Sequence, residues 1–152
     1  MLVERAPGAD DPALVALVTG HVEELRALSP PGASYALDWS LLSDPAVSVW
    51  VARDGDDLLG CAALQEVEPG HGEVKSMRTV AHARGRGVGS ALLTAILAEA
   101  EARGMSRLSL ETGTSDFFRP ARELYARHGF VPGPPFGDYV PGPDNTFLTR
   151  VL

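Results

Sequence analysis

The sequence contains one cysteine, Cys61, so the chain cannot form an internal disulfide. Cys61 lies in the apolar segment Leu58–Leu64, and we expect it to be a small core residue rather than a reactive thiol. Long apolar runs are also lacking. No stretch approaches the roughly 20 residues of a membrane span, and Met1–Arg5 does not form an apolar signal region. We therefore expect a soluble protein of the reducing cytoplasm.

Positive charge is scarce, with 13 Lys and Arg against 20 Asp and Glu and a net charge of -7. An acidic surface repels nucleic-acid phosphates and anionic lipids, so we expect neither partner. The His and Cys residues show no spacing that suggests zinc, and we expect no metal site. At 152 residues and 45% hydrophobic content, the chain fits one compact domain, which we place at residues 1–152.

The apolar pattern predicts an α/β protein. Helical spacing begins after Pro12, near Gly87 and after Pro120. Gly104 suits a left-handed helix end, and the last helix is expected to end at Gly129. The stretch 33–45 has no clear period and is a loop, a short helix or a lid. Strands are predicted at Leu2–Ala6, Val47–Ala52, Leu58–Val67, Glu73–Val80, Arg107–Thr112, from Phe130, and at Asn145–Leu152.

A glycine-rich loop lies between a predicted strand and a predicted helix. Its glycines allow tight turns, and the helix dipole favours an anion at the same place. A dinucleotide fingerprint would need a third glycine where Ser90 or Leu92 stands, and the Lys-Ser/Thr of a P-loop is absent. The expected phosphate-binding residues are Arg84, Gly85, Arg86, Gly87, Val88, Gly89 and Ser90.

The spacing Arg84-x-x-Gly87-x-Gly89 resembles the Arg/Gln-x-x-Gly-x-Gly/Ala signature of the GNAT superfamily of N-acetyltransferases. Glu73–Val80 is similar to that family's fourth strand. The run Ala121-x-x-Leu124-Tyr125-x-x-x-Gly129-Phe130 is similar to its last helix and the strand that follows. Further segments resemble a bacterial acetyltransferase branch. One position departs from the pattern, because Phe118 stands where the family often has Asn.

The resemblance implies a fold and a donor. The fold would be a mixed, mostly antiparallel central sheet flanked by helices, with two central strands that splay apart. The amides of the glycine loop would hold the pyrophosphate of acetyl-CoA. The backbones of Met77 and Thr79 would pair with the pantetheine arm in the manner of an added strand.

The resemblance also implies acetyl transfer from a thioester to an amine, which needs a base and is helped by an acid. Glu73 is the expected base because it precedes Arg84 by the separation seen for the catalytic Glu of the histone acetyltransferase branch. The alternative is a solvated carboxylate at a strand end. Glu111 is a weaker candidate. Tyr125 is the expected acid near the cofactor sulfur, the alternative being a packed aromatic.

Acceptor-binding residues are predicted from strand period and loop composition. A period of two places Glu73, Lys75, Met77 and Thr79 on one face and Arg78 on the other. We expect Arg78 to pair with Asp138 or with a substrate carboxylate, or else to reach water at the sheet end.

The loop Pro132–Pro143 carries Phe136, Asp138 and Tyr139, and the family's topology places it on the acceptor side. It is expected either to line a substrate pocket or to be a rigid packed loop.

These features predict an acetyl-CoA-dependent N-acetyltransferase that acts on the amine of a small molecule or peptide by direct attack on the thioester. A non-catalytic acyl-CoA-binding sensor is the alternative, and a nucleotide-binding regulatory module is a second. The presence of both Glu73 and Tyr125 favours the enzyme. The sequence does not identify the acceptor, and it leaves a homodimer open.

Overall fold

The computed structural model of the protein describes residues 1–6, 11–28 and 44–152, and most of the predicted loop or lid at 33–45 lies outside them. No helix in the described ranges is long and apolar enough to cross a membrane. The main elements are β1 Leu2–Arg5, α1 Pro12–Leu28, β2 Val47–Asp54, β3 Asp57–Glu68, β4 His71–Thr79, α2 Val88–Ala102, β5 Arg107–Gly113, α3 Arg119–Arg127, β6 Val131–Pro132 and β7 Asn145–Val151.

The strands form one seven-stranded sheet in the order β1-β2-β3-β4-β5-β7-β6. Every neighbouring pair is antiparallel except β4 and β5, which are parallel. The first hairpin turns at Gly55, whose φ of 59° suits the first central position of a two-residue turn. The expected mixed, mostly antiparallel sheet flanked by helices is therefore confirmed.

The helix boundaries follow local signals that the sequence contains. Asp11 caps α1, because its Oδ1 accepts a hydrogen bond from the Ala13 amide at 2.9 Å, and Pro12 takes the first helical position. Gly104 and Gly129 follow the ends of α2 and α3 with φ of 76° and 85°. Only glycine adopts this left-handed backbone without strain.

The sheet is buried on both faces and separates two apolar clusters. The α2 cluster contains Trp50, Leu64, Val74, the buried side of α2 and Tyr125. The α1 cluster contains Leu14 and Val18 with Val47, Val49, Val51 and Cys61. Burial raises the pKa of the Cys61 thiol to about 12, so Cys61 is the core residue expected from its apolar surroundings.

Gly60 brings the start of α2 close to the sheet. A Cβ added at Gly60 would lie 2.6 Å from the Arg78 carbonyl oxygen and 2.9 Å from Cγ1 of Val88. The backbone oxygen cannot move aside without disturbing β4. The missing side chain therefore fixes the distance between the first turn of α2 and the strands beneath it.

Gly60→Ala should lower the free energy of unfolding by about 1–3 kcal/mol, because the added methyl group overpacks this contact. Gly20→Ala is the matched control. Gly20 lies within α1 and has no described atom within 4 Å of an added Cβ, so alanine should stabilise the helix by about 1 kcal/mol. Urea titration of the three proteins measures both effects, and equal stability of Gly60→Ala and the wild type would contradict the expected close packing.

Candidate functional site

β4 and β5 part after a short parallel pairing. The paired residues are His71 with Arg107, Gly72 with Leu108 and Glu73 with Ser109. Beyond them, β4 continues along β3 and β5 continues along β7. The two inner edges face each other without a shared ladder, which leaves backbone groups open to an extended ligand. The expected splay of the central strands is confirmed.

A β-bulge in β4 changes which side chains share a face. The register moves from Ala63 opposite Lys75 to Cys61 opposite Arg78, so Ser76 and Met77 both lie opposite a single β3 residue. Ser76 has a φ of 53°, in the left-handed region. The side chain of Ser76 is buried, and its Oγ has no hydrogen-bond partner in the described structure.

The bulge overturns the predicted faces beyond Lys75. A Cβ added at Gly72 would meet side chains of the α2 cluster, so its neighbour Glu73 faces the α1 side. Met77 packs against the α2 cluster, whereas Arg78 lies opposite Cys61 of the α1 cluster. The expectation that Glu73, Met77 and Thr79 share a face opposite to Arg78 is therefore wrong, because one extra residue reverses the alternation.

The glycine loop follows the end of β4 and leads into α2. Gly85 and Gly87 have φ of 77° and 81°, and no described atom lies within 4 Å of a Cβ added at either. Residues 84–87 are exposed. In the described structure, no backbone carbonyl accepts a hydrogen bond from the amides of residues 85–90. These amides and the helix N-terminus form a site that fits a phosphate or pyrophosphate group.

The side chains of this loop are largely engaged elsewhere. Val88 is buried in the α2 cluster, and Ser90 Oγ shares a hydrogen bond of 2.8 Å with Nε2 of His128. An Nη2 atom of Arg86 lies 3.7 Å from Asp54 in an exposed ion pair, and Arg84 is exposed. The loop would therefore bind an anion mainly through its backbone, with arginine charge beside it.

Glu73 is buried where the two strands part, with 3% of the residue exposed. The Tyr139 hydroxyl donates a hydrogen bond to its Oε2, and Nζ of Lys75 lies 3.3 Å from its Oε1. Burial raises the pKa of Glu73, and the contacts with Tyr139 and Lys75 oppose that rise. Glu73 is therefore not the solvated strand-end carboxylate that was the alternative.

Glu111 lies on β5 near Glu73. Its Oε2 accepts a hydrogen bond of 2.8 Å from Asn145, whereas its Oε1 is buried and has no partner in the described structure. Burial raises the pKa of Glu111, and the charge of Glu73 raises it further. The pKa of Tyr139 is also raised, by burial and by both carboxylates. Asn145 was not among the functional residues predicted from the sequence. Since Ser109 pairs with Glu73, the period of two along β5 places Glu111 on the same face of the sheet as Glu73.

The Pro- and Gly-rich loop covers this part of the sheet with aromatic rings. The Phe136 ring lies 5.2 Å from Tyr139, 5.8 Å from His71 and 6.0 Å from Phe147, measured between centroids. Asp138, between the two loop aromatics, is exposed. The aromatic residues of the loop are therefore packed. The loop brings Tyr139 into contact with Glu73, whereas Asp138 remains at the surface.

Tyr125 lies on the other face of the sheet from Glu73. It is 6% exposed within the α2 cluster, and its ring centroid is 5.9 Å from that of Phe130. Burial raises its pKa, so the phenol keeps its proton at neutral pH. The gap between β4 and β5 is where a ligand could meet groups from both faces.

Phe118, at the position of the family's Asn, packs against the end of β5. A Cβ added at Gly113 would lie 2.1 Å from the Phe118 ring. This close approach requires glycine at that position. Phe118 thus contributes an apolar contact where an amide side chain would offer hydrogen bonds.

Comparison with known proteins agrees with this geometry. At the level of sequence, the chain is 45% identical over 139 residues to an uncharacterized N-acetyltransferase, YsnE, from Bacillus subtilis (strain 168), covering 91% of this chain and 92% of that one. It is 38% identical over 141 residues to an IAA acetyltransferase from Azospirillum brasilense, covering 92% and 91%.

At the level of structure, the chain is similar to a crystal structure from Klebsiella pneumoniae subsp. pneumoniae, provisionally named an acyl-CoA N-acyltransferase. The TM-score is 0.81 at 26% identity, and the match covers 99% of this chain and 97% of the other. Residues 14–130 match the model of the acetyltransferase (GNAT) family, whose members use acetyl-CoA. The protein is an acetyltransferase enzyme, and its chain belongs to the acetyltransferase (GNAT) family.

Proposed function

We propose that the protein transfers the acetyl group of acetyl-CoA to the amine of a small molecule or peptide by direct attack on the thioester. The observation that carries this proposal is the gap between β4 and β5. It has an exposed glycine loop after the end of β4 and a buried carboxylate, Glu73, where the strands part. One end suits the donor's phosphates, and the other suits acid–base chemistry.

The donor half of the proposed site, where acetyl-CoA would bind, consists mainly of backbone groups. The amides of residues 85–90 would hold the pyrophosphate, and Arg84 and Arg86 would add positive charge beside it. Met77 and Thr79 lie on the part of β4 that does not pair with β5, so their backbone groups would bind the pantetheine arm. Acetyl-CoA supplies an acetyl group activated as a thioester.

The proton transfers are assigned to two side chains. Glu73 would take a proton from the amine nitrogen, because burial keeps its pKa above the ordinary glutamate value and makes it a stronger base. Tyr125 would give a proton to the departing thiolate, since its phenol remains protonated at neutral pH. The two groups approach the thioester from opposite faces of the sheet.

The acceptor half lies beneath the Pro- and Gly-rich loop. Tyr139 contacts Glu73 directly and would contact the acceptor, whereas Arg78 and Asp138 are proposed to bind polar groups farther along it. Release of CoA from acetyl-CoA in the presence of an amine panel tests the function. IAA is assayed beside the panel as a separate acceptor because one relative is named an IAA acetyltransferase. Binding of acetyl-CoA without release in any arm would favour the sensor alternative.

Gly87→Glu should raise the Kd for acetyl-CoA by about a hundredfold or more, because it places bulk and negative charge beside the phosphate-binding amides. Isothermal titration calorimetry measures the change. Gly104→Glu is the matched control: its φ of 76° imposes similar backbone strain at the other end of α2. If both variants bind acetyl-CoA like the wild type, the loop does not hold the phosphates.

Glu73→Gln should lower kcat by about a hundredfold with little change in the Kd for acetyl-CoA, because it removes the base and leaves the donor half intact. In the wild type, kcat/KM should rise with pH along a limb whose pKa lies above 4.5, since burial disfavours the carboxylate. A pH series of initial rates measures both effects.

The matched control for that series is Glu66→Gln, which neutralises an exposed carboxylate on β3. Its rates should follow those of the wild type at every pH. Glu73 would be excluded as the base if Glu73→Gln turned over at the wild-type rate throughout the series.

A further inference from the structure

We propose that Glu111 determines acceptor specificity by binding a positively charged amine through its Oε1 atom. This inference rests on the proposed function and names the class of acceptor, an alkylammonium ion. It assigns Glu111 to substrate binding and leaves proton removal to Glu73.

The first step is the position of Glu111. Ser109 is the last β5 residue paired with β4, and Glu111 follows two residues later on the same face, beyond the point where the strands part. Glu73 lies at that point on β4. The two carboxylates therefore flank the opening of the gap from its two sides. The charge of Glu73 raises the pKa of Glu111, and both carboxylates raise the pKa of Tyr139.

The second step is the hydrogen bonding of Glu111. Asn145 occupies Oε2, but Oε1 is fully buried and has no donor among the described residues. Buried carboxylate oxygens are normally paired, and an unpaired one in an otherwise bonded cluster indicates a missing donor. The neighbouring groups are already engaged: Tyr139 donates to Glu73, and Lys75 donates to Gln65 as it contacts Glu73.

The third step is charge. Lys75 offsets the charge of Glu73, whereas no cation of the described residues lies within 4 Å of the Glu111 carboxylate. Among the four side chains Glu73, Lys75, Glu111 and Tyr139, two are carboxylates, one is an ammonium group and one is a neutral phenol. With both carboxylates ionised, these four groups carry a net charge of -1. An ammonium ion supplies both the missing charge and up to three N–H donors. A neutral arylamine or a carboxylate-bearing acceptor supplies no such charge.

The chemistry balances with this assignment. Glu111 holds the ammonium, and Glu73 takes one of its protons to give the neutral amine. The neutral nitrogen then forms the C–N bond to the acetyl carbon as the C–S bond breaks. The nitrogen loses its second proton to water, and the thiolate takes a proton from Tyr125, whose phenol is reprotonated as Glu73 gives up the proton that it took. The net change converts an ammonium ion and a thioester into an amide, a thiol and one proton released to water.

Glu111→Gln tests the assignment with benzylamine, which is protonated at neutral pH, and aniline, which is neutral. The KM for benzylamine should rise about ten- to a hundredfold, as expected for loss of a charge-assisted hydrogen bond. The kcat should change by no more than a few fold, and the Kd for acetyl-CoA should be unchanged. In the wild type, binding of benzylamine to the CoA-saturated protein should be at least tenfold tighter than binding of aniline, and Glu111→Gln should remove this preference.

Glu101→Gln removes the same charge from an exposed position on α2 and should leave all these values at the wild-type level. Thermal unfolding checks the fold. The pKa of Glu111 is raised in the folded protein, so ionisation of this carboxyl group lowers the free energy of unfolding as the pH rises above 4.5. Glu111→Gln removes that ionisation, and its Tm at neutral pH should therefore be no lower than that of the wild type.

The outcomes separate the two proposals. Turnover of aniline or IAA, with no Glu111-dependent preference for benzylamine, overturns the ammonium assignment and leaves the acetyltransferase function standing. Binding of benzylamine that depends on Glu111, without CoA release for any amine, supports the ammonium site and overturns the proposed reaction. Equal loss of benzylamine and acetyl-CoA binding in Glu111→Gln assigns the residue a structural role and overturns the inference.

Discussion

The separation of β4 from β5 is the constraint on which the rest of the protein depends. Every strand in a sheet must satisfy its backbone N–H and C=O groups, and here β3 and β7 satisfy only the outer edges of the two central strands. The inner edges remain available beyond Glu73 and Ser109. Because α2 begins soon after β4 ends, the same chain segment that leaves an edge open also delivers a helix N-terminus to it.

Where β4 and β5 part, burial and hydrogen bonding have opposing effects on the pKa of Glu73 and on that of Glu111. Glu73 is almost fully buried and has a raised pKa, yet Tyr139 and Lys75 favour its carboxylate form. Among the described residues, Glu111 receives one such contact, from Asn145. A base benefits from this balance, because a carboxylate that is costly to ionise accepts a proton readily. The Tyr139 ring, whose hydroxyl contacts Glu73, packs against the rings of Phe136 and Phe147.

Most of the fold followed from local patterns, because helix caps, turn glycines and apolar spacing act within a few residues. The glycine-rich loop between β4 and α2 was located for the same reason, through the spacing of Arg84, Gly87 and Gly89. The faces of β4 were predicted wrongly, since a bulge depends on how a strand fits its neighbour. The contact between Tyr139 and Glu73 joins residues 66 positions apart, so no local pattern could reveal it. The cofactor-binding, catalytic and acceptor roles of individual residues all remain predictions.

The Pro- and Gly-rich loop has a consequence for how such a protein can diverge. Most of it runs between β6 and β7 outside the sheet ladder, and its Tyr139 side chain contacts Glu73. The proposed donor site, in contrast, consists mainly of backbone amides and glycines of residues 85–90. Under the proposed function, substitutions in the loop would therefore change which acceptor is bound without changing how acetyl-CoA is held. Substrate range and cofactor use would then be separately inheritable traits.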